Sequence, residues 1–206
     1  QGKLYFLAPI TRCFGTEKDF FLAGRGGTFG APSDTRNRNV SLGTLVKSAG
    51  QGVATILKDA PIPLEPLPNR SADALDRAGG SPVWMEGAEW LYAGASPMKF
   101  SGCQCMTNRL HTDWYKRTFV PEGYRHSFGA LDTNGNLILH IGRYGNLDSI
   151  DGSQSKVPIG GDQIGTFEPR FISGTDNYLV YEYWGEALVV LRVNYHAEKT
   201  VPIELK

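Results

Sequence analysis

The alternation of hydrophobic and polar residues over Arg117–Asn146 predicts one β-sheet unit. Two short runs, Thr118–Pro121 and Ser127–Asp132, are typical of strands. Asn134-Gly135 indicates a hairpin, because a type I′ turn needs positive φ at both central residues and Asn and Gly tolerate that conformation best. The alternation over Leu137–Ile141 then favours a third strand that lies between two layers.

The same three-strand pattern returns near the end of the chain. Asn177–Tyr183, Ala187–Val193 and Thr200–Leu205 match the three strands in order. Arg109 and Arg170 each stand shortly before the first strand of their unit. The similarity predicts an internal repeat.

Further strand signals occur in the first half of the chain, where helix signals are scarce. Ser71–Ala78 starts with an N-cap residue and predicts a helix of two turns. The prolines of Ala60–Asn69 predict an extended connector. Strands are predicted at Lys3–Ile10 and Asp19–Ala23, within Leu42–Leu57, and over Trp84–Ala93 with a turn at Glu86-Gly87.

Size and composition fit a protein with a packed core. The chain has 206 residues and 22.6 kDa, which fits a single domain over residues 1–206. Lys+Arg and Asp+Glu both number 21, so no basic excess indicates a nucleic-acid partner. No apolar run approaches the roughly 18 residues of a membrane-spanning helix. The chain begins with Gln1 rather than Met, so a fragment of a longer protein is an alternative interpretation.

Several short motifs resemble the NHL-type repeats of β-propellers. Asp132-Thr133-Asn134-Gly135 is similar to the D-x-x-G turn within such a blade, and Gly142-Arg143-Tyr144-Gly145 is similar to the G-x-x-G exit of the following strand. The resemblance is good over about Asn108–Asn146, fair over Phe171–Leu205 and poor over Leu4–Gly102. It implies an all-β fold, either an NHL-like β-propeller or a partial propeller of about four blades with about 40–50 residues each.

Cys103, Cys105, His111 and Asp113 form the densest group of candidate metal ligands. Thiolate and imidazole are usual ligands of zinc, and residues 103 and 105 would face the same side of a strand. This group predicts a site for zinc or another transition metal. The alternative is a pair of ordinary cysteines or a strained disulfide, since three Cys do not form a disulfide framework.

Two other motifs carry less weight. Asp132-x-Asn134-x-Asn136 resembles the first half of a calcium loop, but Leu137 stands where Gly is required, and hairpin geometry also explains the polar residues. The Gly-rich segment Gly24–Gly30 has no helical pattern after it, so an ordinary loop is favoured over a phosphate site.

Tyr124, Arg125, His126, Tyr144 and Trp184 are the candidate binding residues. Aromatic clusters on sheets can bind proteins or sugars, and packing between blades is the alternative. The Tyr–Arg–His set at 124–126 is similar in residue type to the pocket of a propeller-fold lyase. For His126 and His140, the favoured interpretation is a pair of half-exposed strand residues.

These features favour a non-catalytic binding or scaffold module of β-propeller type, whose partner is a protein or peptide. No G-x-S-x-G, H-E-x-x-H or C-x-x-C-H motif supports an enzyme of those classes. The alternative is a metal-dependent propeller lyase or oxidoreductase that uses Cys103, Cys105 and His111. A third interpretation is a subunit of a larger extracellular assembly, and a secreted or periplasmic location is favoured over a cytoplasmic one.

Overall fold

Strands dominate the computed structural model, which describes residues 2–16, 39–50, 52–57, 74–75, 82–96, 108–159, 164–167, 169–183 and 187–193. In these ranges the helical segments are three short 3₁₀ helices, so the predicted all-β class is confirmed. None of the described helices has the length and apolarity needed to cross a membrane. The 3₁₀ helices are Gly123–Arg125, Leu147–Ser149 and Gly152–Gln154, and the strands are β1 (Tyr5–Thr16), β2 (Asn39–Ser48), β3 (Ala54–Leu57), β4 (Ala74–Leu75), β5 (Val83–Glu86), β6 (Ala88–Tyr92), β7 (His111–Thr112), β8 (Thr118–Glu122), β9 (Ser127–Leu131), β10 (Leu137–Ile141), β11 (Arg143–Tyr144), β12 (Gly165–Thr166), β13 (Ile172–Gly174), β14 (Tyr178–Tyr183) and β15 (Ala187–Arg192).

The strands form several small sheets, most of them antiparallel. The first sheet has the strand order β4-β1-β2-β6, the central sheet β10-β9-β8-β7 and the last sheet β13-β14-β15. Strands β3 and β5 form a separate antiparallel pair, and β11 and β12 form a short parallel pair. Among the described residues the sheets do not close into a barrel or a propeller ring, so the propeller stays a prediction.

The central sheet is buried on both faces of β8 and β9. On one face, Phe119 and Phe128 pack against Tyr181 of the last sheet. On the other face, Val120 and Leu131 pack against Leu45 of the first sheet. These runs are apolar at successive positions because each strand covers two cores.

The first sheet also uses both of its faces. Leu45 contacts the central sheet, whereas the next residue, Val46, faces Val83 and Met85 of β5. Because side chains alternate along a strand, neighbouring residues of β2 enter different cores. The sheets therefore stack in the order β3–β5, first, central and last.

The hairpin between β9 and β10 is confirmed, but its predicted turn type is wrong. Gly135 has a φ of 83°, whereas Asn134 is not among the residues with positive φ, so the turn is not type I′. The carboxylate of Asp132 accepts hydrogen bonds from the backbone nitrogens of Asn134 (2.8 Å) and Asn136 (2.9 Å), and from the Asn136 side-chain amide (2.9 Å). The Asp132 side chain therefore stabilises a turn that extends to Asn136, in place of the two-residue type I′ turn that Asn134-Gly135 predicted.

The same turn is attached to the first sheet by two side chains. Lys47 donates from Nζ to the Thr133 carbonyl over 2.6 Å and to Glu89 Oε1 over 3.0 Å. Trp90 donates from Nε1 to the same Thr133 carbonyl over 3.1 Å. The buried ammonium of Lys47 thus has partners on both sheets, as a buried charge requires.

Two further expectations are corrected. Strand β10 does not lie between two layers, because it is the outermost described strand of the central sheet and is largely exposed. The helix predicted over Ser71–Ala78 is wrong at residues 74–75, which form β4 and pair with Thr11 and Arg12 of β1. The remaining predicted elements at 19–23, 24–30, 60–69 and 200–205 lie outside the described residues.

Candidate functional site

The site begins where β8 ends, at Glu122, whose side chain is fully buried between the first and central sheets. The 3₁₀ helix Gly123–Arg125 follows and closes at His126, which adopts the left-handed conformation (φ 53°, ψ 47°). This tight reversal places Ser127 of β9 directly opposite Glu122. The two polar side chains therefore share one face of the sheet.

The Glu122 carboxylate accepts hydrogen bonds from three side chains. Oε1 accepts from the Tyr92 hydroxyl, and Oε2 accepts from Ser127 Oγ over 3.1 Å and from His140 Nδ1 over 2.6 Å. A carboxylate can only accept, so Nδ1 is a protonated nitrogen of His140 while Glu122 is ionised. These bonds offset the large unfavourable free energy of burying a charge.

Gly129 leaves the space that this arrangement needs. A Cβ atom at residue 129 would lie 2.9 Å from Oε1 of Glu122. Gly129 pairs with His140 on one side and with Val120 on the other, so it lies between β8 and β10. The glutamate side chain can reach across β9 because position 129 carries no side chain.

A β-bulge in β10 places His140 on the correct face. Leu137 pairs with Leu131 and Leu139 pairs with Ala130, so β10 has one extra residue, Ile138, in this interval. Strict alternation would have placed Leu137 and His140 on opposite faces, but the extra residue places both on the face of Glu122.

Burial raises the pKa of the Tyr92 hydroxyl above its ordinary value, and the negative charge of Glu122 acts in the same direction. The positive charge of Arg125 opposes this shift. Tyr92 therefore stays protonated and continues to donate its hydrogen bond over the physiological pH range.

Two of the five predicted binding residues, His126 and Tyr144, pack against each other where the 3₁₀ helix Gly123–Arg125 ends. The rings of His126 and Tyr144 lie 4.9 Å apart edge to face, and Phe167 stacks on His126 at 5.7 Å. Burial lowers the pKa of His126. Arg125, which precedes His126, is exposed. The Tyr124 side chain and Trp184 lie outside the described residues.

The predicted metal ligands are described only in part. Cys103 and Cys105 lie outside the described residues. His111 stacks on Phe119 with ring centroids 6.2 Å apart, and its Nε2 is buried without a hydrogen-bond partner among the described residues. The Asp113 carboxylate accepts from the Arg117 backbone nitrogen (2.9 Å) and Nε (2.7 Å). Within the described ranges, no three His, Cys, Asp or Glu side chains form a group that could hold a metal, and the metal site stays a prediction.

The outer edge of β10 carries exposed apolar side chains. Leu137, Ile138 and Leu139 are each between 41% and 52% exposed, and Tyr144, on the following strand β11, is 66% exposed. Among the described strands, β10 pairs only with β9, so its outer backbone edge faces away from the sheet. We call Leu137, Ile138, Leu139 and Tyr144 the edge surface.

Sequence reasoning did not assign roles to Tyr92, Glu122 and Ser127. A lone Glu at the end of an apolar run was a weak signal, because charged residues inside such runs need a partner when buried. Tyr92 and His140 lie 30 and 18 positions from Glu122, whereas Ser127 is five positions away, so no local pattern identified the whole network.

Searches for similar proteins found no matching family model, no matching curated protein and no matching solved structure.

Proposed function

We propose that this protein is a binding module that takes an extended peptide segment of a partner protein along the edge surface of β10. One observation carries the proposal: β10, the outermost described strand of its sheet, has three successive exposed apolar residues. Exposed edges of this kind accept an added strand, whose main-chain hydrogen bonds give affinity and whose alternate side chains give specificity. Natural sheets protect such edges with charged residues, proline or β-bulges. Over Leu137–Ile141, β10 has one bulge, at Ile138, but no proline and no Asp, Glu, Lys or Arg.

The network beneath β10 supports this role because it holds the strand in place. His140 is hydrogen-bonded to the buried Glu122, and Ile141 packs on the core between the central and last sheets. At the end of the strand, a Cβ atom at Gly142 would lie 2.7 Å from Thr166, so this position is closely packed as well. A preorganised edge loses little conformational entropy when a peptide adds to it.

The proposed architecture is a β-propeller or part of one. Strands β7–β8–β9 and β13–β14–β15 have the same antiparallel order along the chain. The two units touch just before β7 and β13. There Arg109 donates its backbone N–H to the Arg170 carbonyl over 2.9 Å and forms a parallel bridge with Phe171. Propellers repeat small antiparallel sheets around a central channel, and two adjoining units of the same strand order support this proposal.

A displayed library of random peptides tests the binding proposal. Selected peptides should be rich in β-branched and aromatic residues at alternate positions, and should bind the Ile138→Lys variant at least tenfold more weakly. Leu188→Lys on β15 is the matched control, since Leu188 is another exposed apolar strand residue. Selected peptides that bind the Ile138→Lys variant unchanged would contradict the proposal.

Backbone methylation gives a second, more specific readout. In an added strand, every other amide points toward β10. Methylating one alternate set of peptide nitrogens should therefore abolish binding, whereas methylating the other set should leave it nearly unchanged. Equal loss from both sets would contradict strand addition.

One observation favours a second candidate function. The Nε2 of His111 is buried and has no hydrogen-bond partner in the part of the chain that the structure describes, and a metal ion would satisfy it. We propose that Cys103, Cys105 and His111 hold zinc, which a metal-dependent activity would require, while Asp113 is already paired with Arg117. Elemental analysis with a thiol count tests this proposal. Stoichiometric zinc that is lost in His111→Gln would support it, and three titratable thiols without metal would contradict it.

A further inference from the structure

The outer face of the last sheet is apolar although no described sheet covers it. In β15, Val189 and Leu191 pack inward, whereas Leu188 and Val190 are 75% and 61% exposed. Val180 of β14 pairs with Val190 and so shares this face. A sheet with one solvated face normally alternates apolar and polar residues, and β15 instead places large apolar residues on both faces.

We call Tyr178, Val180, Glu182, Leu188, Val190 and Arg192 the outer face. The register divides it into three rows across the two strands. Tyr178 pairs with Arg192, Val180 with Val190, and Glu182 with Leu188. The apolar row lies at the centre, and opposite charges stand at the two ends on different strands.

We propose that the outer face binds the same face of a second copy of this chain about a two-fold axis that lies in the interface and runs across the strands. This axis passes through the Val180–Val190 row and places the Tyr178–Arg192 row of one copy over the Glu182–Leu188 row of the other. Arg192 then lies over the partner's Leu188, in the same row as the carboxylate at position 182 of the partner copy and one strand away from it, and this relation occurs twice. A two-fold interface needs this kind of self-complementary surface.

The proposed contact continues the way in which the sheets of this protein already stack. The central and last sheets meet through Phe128 and Tyr181, and the first and central sheets meet through Leu45 and Leu131. A second copy would add the next sheet to this stack, about 10 Å beyond the last one.

The size of the outer face predicts a weak, reversible dimer. Six residues of strand span about 20 Å, and the two strands that carry the outer face span about 10 Å across. A standard stable interface buries about 800 Å² on each partner, which is more than a face of that size supplies. We therefore expect dimerisation that depends on concentration rather than a permanent dimer.

Sedimentation velocity over a concentration series of the full chain tests the proposal, with circular dichroism to confirm folding. Concentration-dependent dimer is expected for the natural chain, and loss of dimer is expected for Val190→Lys. Ile138→Lys, on the edge surface of β10, is the matched control and should dimerise normally. A chain that is monomeric at every concentration, or a dimer that persists in Val190→Lys, would overturn the proposal.

Charge exchange tests the symmetry of the contact. Glu182→Arg and Arg192→Glu should each raise the dissociation constant roughly tenfold, because each places like charges together. The double variant should return to a value near that of the natural chain. If the single and double variants dimerise equally well, the two-fold arrangement is wrong.

Discussion

His140 donates its Nδ1–H to Oε2 of Glu122 over 2.6 Å, although β9 lies between the strands that carry the two residues. Neighbouring strands are about 4.8 Å apart, so the contact spans about twice that distance across the sheet. It exists because the intervening position is Gly129, beside which the glutamate side chain lies. The hydrogen bond therefore depends on all three strands.

Gly129→Ala should destabilise the protein by about 1–3 kcal/mol, because its Cβ atom would displace a fully buried carboxylate. Urea unfolding measures the effect. Gly52→Ala is the control, since a Cβ atom at residue 52 meets nothing within 4 Å. Equal effects of the two substitutions would contradict the packing described for Glu122.

Tyr92→Phe should cost about 1–3 kcal/mol of unfolding free energy, because it removes a donor from a buried carboxylate. Tyr144→Phe, at an exposed ring, should change stability by less than about 0.5 kcal/mol. Chemical denaturation of both variants at pH 7 compares them. A Tyr92→Phe protein as stable as the natural chain would show that Glu122 does not need this bond.

Deletion of Ile138 should leave the protein folded and change its stability by about 1 kcal/mol or less, because the remaining pairs of β9 and β10 become regular. Substituting His140 by Ala should then be as destabilising in the deletion variant as in the natural chain. Deletion of Ala130 from β9 is the contrast. It would shift the pairing of β9 with both β8 and β10, and should therefore prevent folding. Thermal melts distinguish these outcomes.

Stability should fall as the pH drops below about 6.5, where an unfolded histidine takes up a proton. Burial lowers the pKa of His126 and of His111, so the folded state accepts these protons only at lower pH. In that window the unfolded chain binds more protons, which favours unfolding, and full stability is retained above it.

His126→Asn should reduce this pH dependence, since Asn tolerates the left-handed conformation and does not titrate. Urea midpoints measured between about pH 8 and pH 5 test the sign and the contribution of residue 126. An unchanged slope in His126→Asn would assign the effect to other groups.

Local signals in the sequence were enough to locate most described strands. The runs at Thr118–Glu122 and Ser127–Leu131 are apolar because both faces are covered, and Asp132–Asn136 contains turn residues that act within a few positions. The turn type was missed because the Asp132 side chain, rather than backbone preference alone, determines its geometry.

The polar network could not be derived from the sequence in the same way. The face that His140 occupies depends on a bulge at Ile138, and a bulge reverses every alternation that follows it. The partner Tyr92 reaches Glu122 only after two sheets have stacked. Contacts of this kind follow from register and packing, which local periodicity does not encode.

The Thr133 carbonyl, which accepts hydrogen bonds from Lys47 and Trp90, has a consequence for the order of folding. The β9–β10 hairpin closes over a few residues, but these two contacts close chain segments of 86 and 43 residues. Closing longer loops costs more entropy and slows folding. We therefore expect the hairpin to form early and its attachment to the first sheet to be a late step that completes the cooperative unit.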